Sequence, residues 1–79
     1  MAEVAFERAR YTEALDYGRR ALKLAPRSTR LMTIVGDCYF KLLRYDEARA
    51  TYQKALAIAP KDAQIKSRIQ RVKASVGEK

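Results

Sequence analysis

Histidine and tryptophan are absent from these 79 residues, cysteine occurs once, and there are only three glycines and two prolines. Each shortage removes a class of function. Without histidine there is no imidazole base to activate a serine or cysteine nucleophile. With no histidine and one cysteine, a zinc site lacks its usual ligands. A single thiol, Cys38, cannot close an internal disulfide, so a reducing, cytoplasmic setting is the default expectation. The glycines are isolated and form no loop able to cradle phosphate. No apolar run approaches the roughly 18 residues that suggest a membrane span. The opening MAEVAFERAR is interrupted by charges and does not read as a secretory signal. Glu3 and Asp37, were they to share a surface, would be weak ground for acid–base chemistry. No catalytic residue, metal ligand or cofactor is expected, and the chain reads as something other than an enzyme.

What is present points to helices. Hydrophobic residues make up 48% of the chain, too many for a compositionally disordered segment. Ala, Leu, Lys, Arg and Glu dominate, a mix that favours helix over strand. The net charge of +8 suits solvated outer helix faces or an acidic partner, and does not choose between them.

The chain then says nearly the same thing twice. RYTEALDYGRRALKLAP at residues 10–26 returns as RYDEARATYQKALAIAP at 44–60, an offset of 34. Phe6/Phe40, Arg10/Arg44, Tyr11/Tyr45, Glu13/Glu47, Ala14/Ala48, Ala21/Ala55, Leu22/Leu56, Ala25/Ala59 and Pro26/Pro60 are identical pairs. Self-similarity at a fixed period marks stacked supersecondary units. Each unit reads as two helices. Ser28 is a candidate N-cap for a helix over 29–42, with an apolar stripe of Leu31, Ile34, Val35, Cys38, Tyr39 and Leu42. Asp46 is a candidate cap for a helix to Ile58, with Pro60 just beyond its end. In the first unit residues 2–9 read as the end of one helix and 12–25 as its partner, with Thr12 as cap. Asp62 caps a last helix over 63–75, whose Ile65, Ile69, Val72 and Val76 form one stripe and whose Lys66, Arg68 and Lys73 form the other face. Residues 77–79 are expected to fray.

This pattern resembles the tetratricopeptide repeat, whose period is 34 and whose unit is a helix-turn-helix. In residues 29–62 the family's signature falls on Met32, Val35, Gly36, Tyr39, Ala48, Tyr52, Ala55 and Pro60. In residues 1–28 it falls on Ala2, Ala5, Ala14, Gly18, Ala21 and Pro26. There Ala5 stands for an aromatic and Gly18 for a large residue, so looser packing is expected. The resemblance implies an all-α superhelix of antiparallel helix pairs, about five helices. It divides into a partial repeat (1–28), a full repeat (29–62) and a closing helix (63–76). Met1 enters in mid-helix, which suggests a piece of a longer protein. The alternative is a small protein completing its core by weak self-association.

The resemblance also implies a function: a protein–protein interaction module or scaffold, taking a peptide or partner protein in a concave groove. Groove positions of the second unit fall on Arg30, Thr33, Asp37, Phe40 and Lys41. Those of the first fall on Glu3, Phe6 and Glu7, and those of the last helix on Gln64, Ser67 and Arg71. Phe6 and Phe40 would be apolar anchors. Arg30, Lys41 and Arg71 would hold acidic groups of the partner. One subfamily binds the acidic C-terminal tails of heat-shock chaperones through a Lys, Asn and Arg clamp. Here Glu3, Asp37 and Ser67 break that clamp and only Arg71 fits. Nucleic acid is the alternative partner, favoured by the charge and opposed by Glu3 and Asp37 in the groove. No membrane role is expected. Cys38, Tyr39 and Tyr52 read as packing residues.

Overall fold

Four helices follow one another in the computed structural model, which describes the backbone of residues 2–77 and the side chains of residues 8–77. They are α1 (Ala2–Leu24), α2 (Thr29–Lys41), α3 (Tyr45–Ile58) and α4 (Ala63–Ser75). Each packs on the next, α1 on α2, α2 on α3 and α3 on α4. The result is an open slab with extents of 40 × 36 × 16 Å. Among the described residues there is no strand.

Two of the expected caps form. Leu31 N–H donates to Ser28 Oγ at 3.2 Å, and Gln64 and Ile65 N–H donate to Asp62 Oδ1 at 2.9 and 3.3 Å. Each satisfies amides that the first helical turn leaves without partners. The third expectation fails by two residues. Arg44 occupies the N-cap of α3 without a capping bond, and Asp46 lies in the first turn beside Glu47. Arg44 instead reaches Glu47 Oε1 at 2.7 Å and lies 5.5 Å from the Tyr39 ring centroid.

The first unit differs more. Residues 2–9 and 12–25 do not form a helix pair; α1 runs unbroken, so four helices are seen where about five were expected. Thr12 caps nothing, and its hydroxyl donates to the Arg8 carbonyl at 2.9 Å. The equivalent turn in the second unit shows why. Arg44 N–H bonds the Tyr39 carbonyl at 2.8 Å and Leu43 N–H the Phe40 carbonyl at 3.0 Å, with Leu43 at φ 65°. This is a Schellman ending with leucine where glycine is usual. A left-handed leucine costs about 1–2 kcal/mol, which the packing of α3 against α2 offsets. Folding back residues 2–9 would impose the same kind of turn on Ala9. Residues 2–9 offer mostly small residues to bury in such a pair. Leu43 is exposed, so Leu43→Gly should raise stability by roughly 0.5–1 kcal/mol, less than the full strain because glycine loosens the unfolded chain. A rise in the urea midpoint at unchanged m-value checks it.

The core lies between α2, α3 and α4. Met32, Ala48, Tyr52, Ala55, Ile65, Ile69 and Val72 are buried together. The α4 stripe is therefore spent on α3, except for Val76, which stays exposed at the helix end. Gly77, at φ 74°, ends α4 with its N–H on the Ala74 carbonyl at 3.2 Å. Glu78 and Lys79, the rest of the expected loose tail, lie outside the described residues. A smaller cluster of Leu15, Val35 and Cys38 joins α1 to α2. Ile34, expected in the core stripe, is 43% exposed.

Two glycines set how closely the helices approach. A Cβ on Gly36 would meet the Tyr52 ring, 2.7 Å from Cδ1 and 2.9 Å from Cζ. A Cβ on Gly18 would lie 2.6 Å from Val35 Cγ2. Gly18 is thus a close contact between α1 and α2, not the loose spot expected from the loss of a large residue.

Candidate functional site

The 3.6-residue period puts Arg30, Thr33, Asp37, Phe40 and Lys41 within about 100° of each other on α2. Arg68 and Arg71, three residues apart on α4, face them. Asp37, Phe40, Lys41, Tyr52, Arg68 and Arg71 line a pocket of about 110 Å³. The structure therefore brings together four of the residues assigned to the groove: Asp37, Phe40, Lys41 and Arg71. Arg30 and Thr33 stand on the same face of α2 outside the pocket lining. Arg30 is exposed, and the Thr33 hydroxyl donates to the Thr29 carbonyl at 2.8 Å. Phe6, with Glu3 and Glu7, lies outside the described side chains. Gln64 and Ser67 are exposed and do not line the pocket.

The pocket floor is a polar network that the sequence did not reveal. Tyr52 Oη donates to Asp37 Oδ1, and Arg68 Nη1 donates to the same oxygen at 2.7 Å. Tyr52 is 2% exposed, whereas the Arg68 and Asp37 side chains are 34% and 40% exposed. Arg68 had been placed with Lys66 and Lys73 on the outer face of its helix. Its guanidinium instead crosses to α2. Its Nε is buried with no hydrogen-bond partner, a cost offset by the charge-paired bond from Nη1 to Asp37. A signal existed: Arg68, three residues before Arg71, is one of its two neighbours one turn earlier on that helix face.

This network changes the electrostatic reading. Asp37 had counted against anion binding. In the structure its carboxylate already accepts two hydrogen bonds, one from a cation, leaving Lys41 and Arg71 beside it exposed and directed at the pocket. Three cations line the pocket against one carboxylate. Phe40 is half-buried, its ring 5.4 Å from that of Tyr45 at 61°, edge to face. It offers a fixed apolar edge rather than a free side chain.

Burial pushes the Tyr52 hydroxyl well above its ordinary value of 10.0, and the hydrogen bond to Asp37 and that carboxylate's charge add to the rise. Arg68 opposes it. Burial, then the charge of Asp37, pushes the Cys38 thiol up from 9.0. A raised folded-state pKa contributes stability in full below the unfolded value, lost as pH climbs through the folded one. The domain should therefore weaken from about pH 9–10 upward, and Tyr52→Phe should flatten part of that slope. Urea midpoints between pH 8 and 12 check both.

Cys38 is buried and its thiol raised, so it packs and has no nucleophilic setting. Among the described residues no cluster of carboxylates and thiols could hold a metal, and no helix is long and apolar enough to cross a membrane.

Antiparallel helices stacked in a period of 34, each covering the next, define a helical-repeat scaffold. The chain belongs to the tetratricopeptide repeat family: the family model described as Tetratricopeptide repeat matches residues 1–63. No curated protein matches the chain. Members of this family are typically non-catalytic, and in general terms this chain is a module or scaffold for protein–protein interaction.

Proposed function

We propose that the chain binds an acidic peptide segment of a partner protein, and that the face of Arg30, Thr33, Asp37, Phe40 and Lys41 on α2 with Arg71 on α4 is where it lies. The domain then has no chemistry of its own and works in the cytoplasm, where Cys38 stays reduced. The observation that carries this reading is the pocket between α2 and α4. Its one carboxylate is internally bonded, while Lys41 and Arg71 remain open beside the Phe40 ring. A carboxylate of the peptide would sit between Lys41 and Arg71, and Arg71 can take it through two parallel hydrogen bonds. An apolar side chain beside that carboxylate would pack on Phe40. Arg30 and Thr33 extend the track along α2.

Affinity capture from a lysate, with the wild type beside a Phe40→Ala/Arg71→Glu double variant, tests this at about physiological salt. Circular dichroism must first show both folded. A protein retained by the wild type and lost by the variant supports the groove. Equal retention rules it out, and capture abolished by nuclease moves the reading to nucleic acid.

A further inference from the structure

A second, larger cleft lies on nearly the opposite face of α2. Met32, Val35 and Tyr39 point into it, about 160° around the helix axis from the Asp37, Phe40 and Lys41 face at 100° per residue. Leu22 near the end of α1 and Pro26 in the loop just beyond it add to its apolar floor, and Thr51 stands on its α3 side. Its volume is about 430 Å³, within the roughly 300–1,000 Å³ of ordinary ligand pockets. It shares no lining residue with the pocket beside Arg71.

The rim is charged with one sign. Arg19 and Lys23, one turn apart on α1, stand on one side and Lys54 of α3 on the other. All three are exposed, and no carboxylate is among the lining residues. The nearby acids are engaged elsewhere: Asp16 with Arg20 at 3.1 Å, and Glu47 with Arg44 at 2.7 Å. Solvated lysines alone would mean nothing. Here they flank a concave apolar floor on two helices, so one ligand can use both kinds of contact at once.

We propose that this cleft is a second docking surface, taking an acidic amphipathic peptide. A large apolar side chain would pack on Leu22, Pro26 and Tyr39, above the buried Met32 and Val35. Flanking carboxylates would pair with Arg19 and Lys23 on one side and Lys54 on the other. Charge complementarity selects this occupant. A purely apolar ligand leaves the cations unused, and a purely anionic one leaves the floor uncovered. The domain would then hold two acidic segments on opposite faces, as a bridging scaffold does.

The test uses a fluorescein-labelled synthetic peptide of glutamates with leucine at every third or fourth position, followed by anisotropy and by amide chemical shifts. Lys23→Glu/Lys54→Glu alters exposed side chains only and should keep the helical circular dichroism spectrum. It should weaken binding by roughly tenfold or more, the scale expected for reversing charges that meet a partner's. Lys41→Glu/Arg71→Glu should leave the Val35, Tyr39 and Thr51 amide shifts intact. A control peptide of glutamates and serines, without leucine, should bind more weakly at these amides. The proposal is overturned if the control peptide binds equally well, or if the Lys23/Lys54 reversal leaves affinity unchanged. It is equally overturned if anionic lipid vesicles or an oligonucleotide occupy the same amides more tightly than the peptide. Affinity for this cleft is taken from the Leu22, Val35, Tyr39 and Thr51 amide shifts, and anisotropy is read in the Lys41→Glu/Arg71→Glu background, so the two faces stand or fall independently.

Discussion

Tyr52→Ala should leave this chain largely unfolded at 25 °C. The side chain is 2% exposed, joins the α2, α3 and α4 core, and its ring lies against Gly36. Truncating a buried aromatic costs about 3–5 kcal/mol. A domain of this size has about that much in total. Tyr52→Phe separates the ring from the hydroxyl. It keeps the packing and removes one hydrogen bond to a carboxylate that Arg68 still holds, so about 1.5 kcal/mol should be lost, at the low end for bonds to charged groups. Urea unfolding followed by circular dichroism distinguishes the two. If Tyr52→Ala stays cooperatively folded with a midpoint near that of the wild type, the core has been placed wrongly.

Lys41→Glu/Arg71→Glu should abolish measurable binding of the acidic segment that the wild type captures. Both side chains are exposed, so the fold should survive. The pocket would change from three cations facing one carboxylate to one cation among three carboxylates. Two reversals, each worth about 1–3 kcal/mol against a close partner charge, predict a loss of roughly a hundredfold or more. Isothermal titration with that segment reads it directly. Raising salt should weaken the wild type in the same direction, because the contacts are partly exposed and screened.

Much of the architecture was legible because it rests on local rules repeated twice. The 34-residue echo, the Ser28 and Asp62 caps, and the spacing of Ala48, Tyr52 and Ala55 are each readable from a window of a few turns. What failed depended on contacts between windows. Whether Ala9 turns or stays helical is decided by what residues 2–9 would bury. The repeat pattern therefore predicted a helix pair where α1 runs straight. Gly18 looked like a missing large side chain, whereas α1 moves in to meet Val35. The site was half legible. Repeat register placed Asp37, Phe40, Lys41 and Arg71 on groove positions, but it could not show that Asp37 is already held. That bond joins residues 31 apart on different helices, and Arg68 makes it from a position assigned to the outer face. The cleft over Met32 and Val35 went unforeseen for the same reason: its walls come from three helices.

Amide chemical-shift mapping of the labelled domain, titrated with the shortest fragment of the captured partner that still binds, tests the central claim most directly. The account predicts the largest shifts at Arg30, Thr33, Asp37, Phe40 and Lys41 of α2 and at Arg68 and Arg71 of α4. Shifts confined to Leu22, Val35, Tyr39 and Thr51, with the α2–α4 pocket silent, would contradict it and leave the opposite cleft as the contact surface.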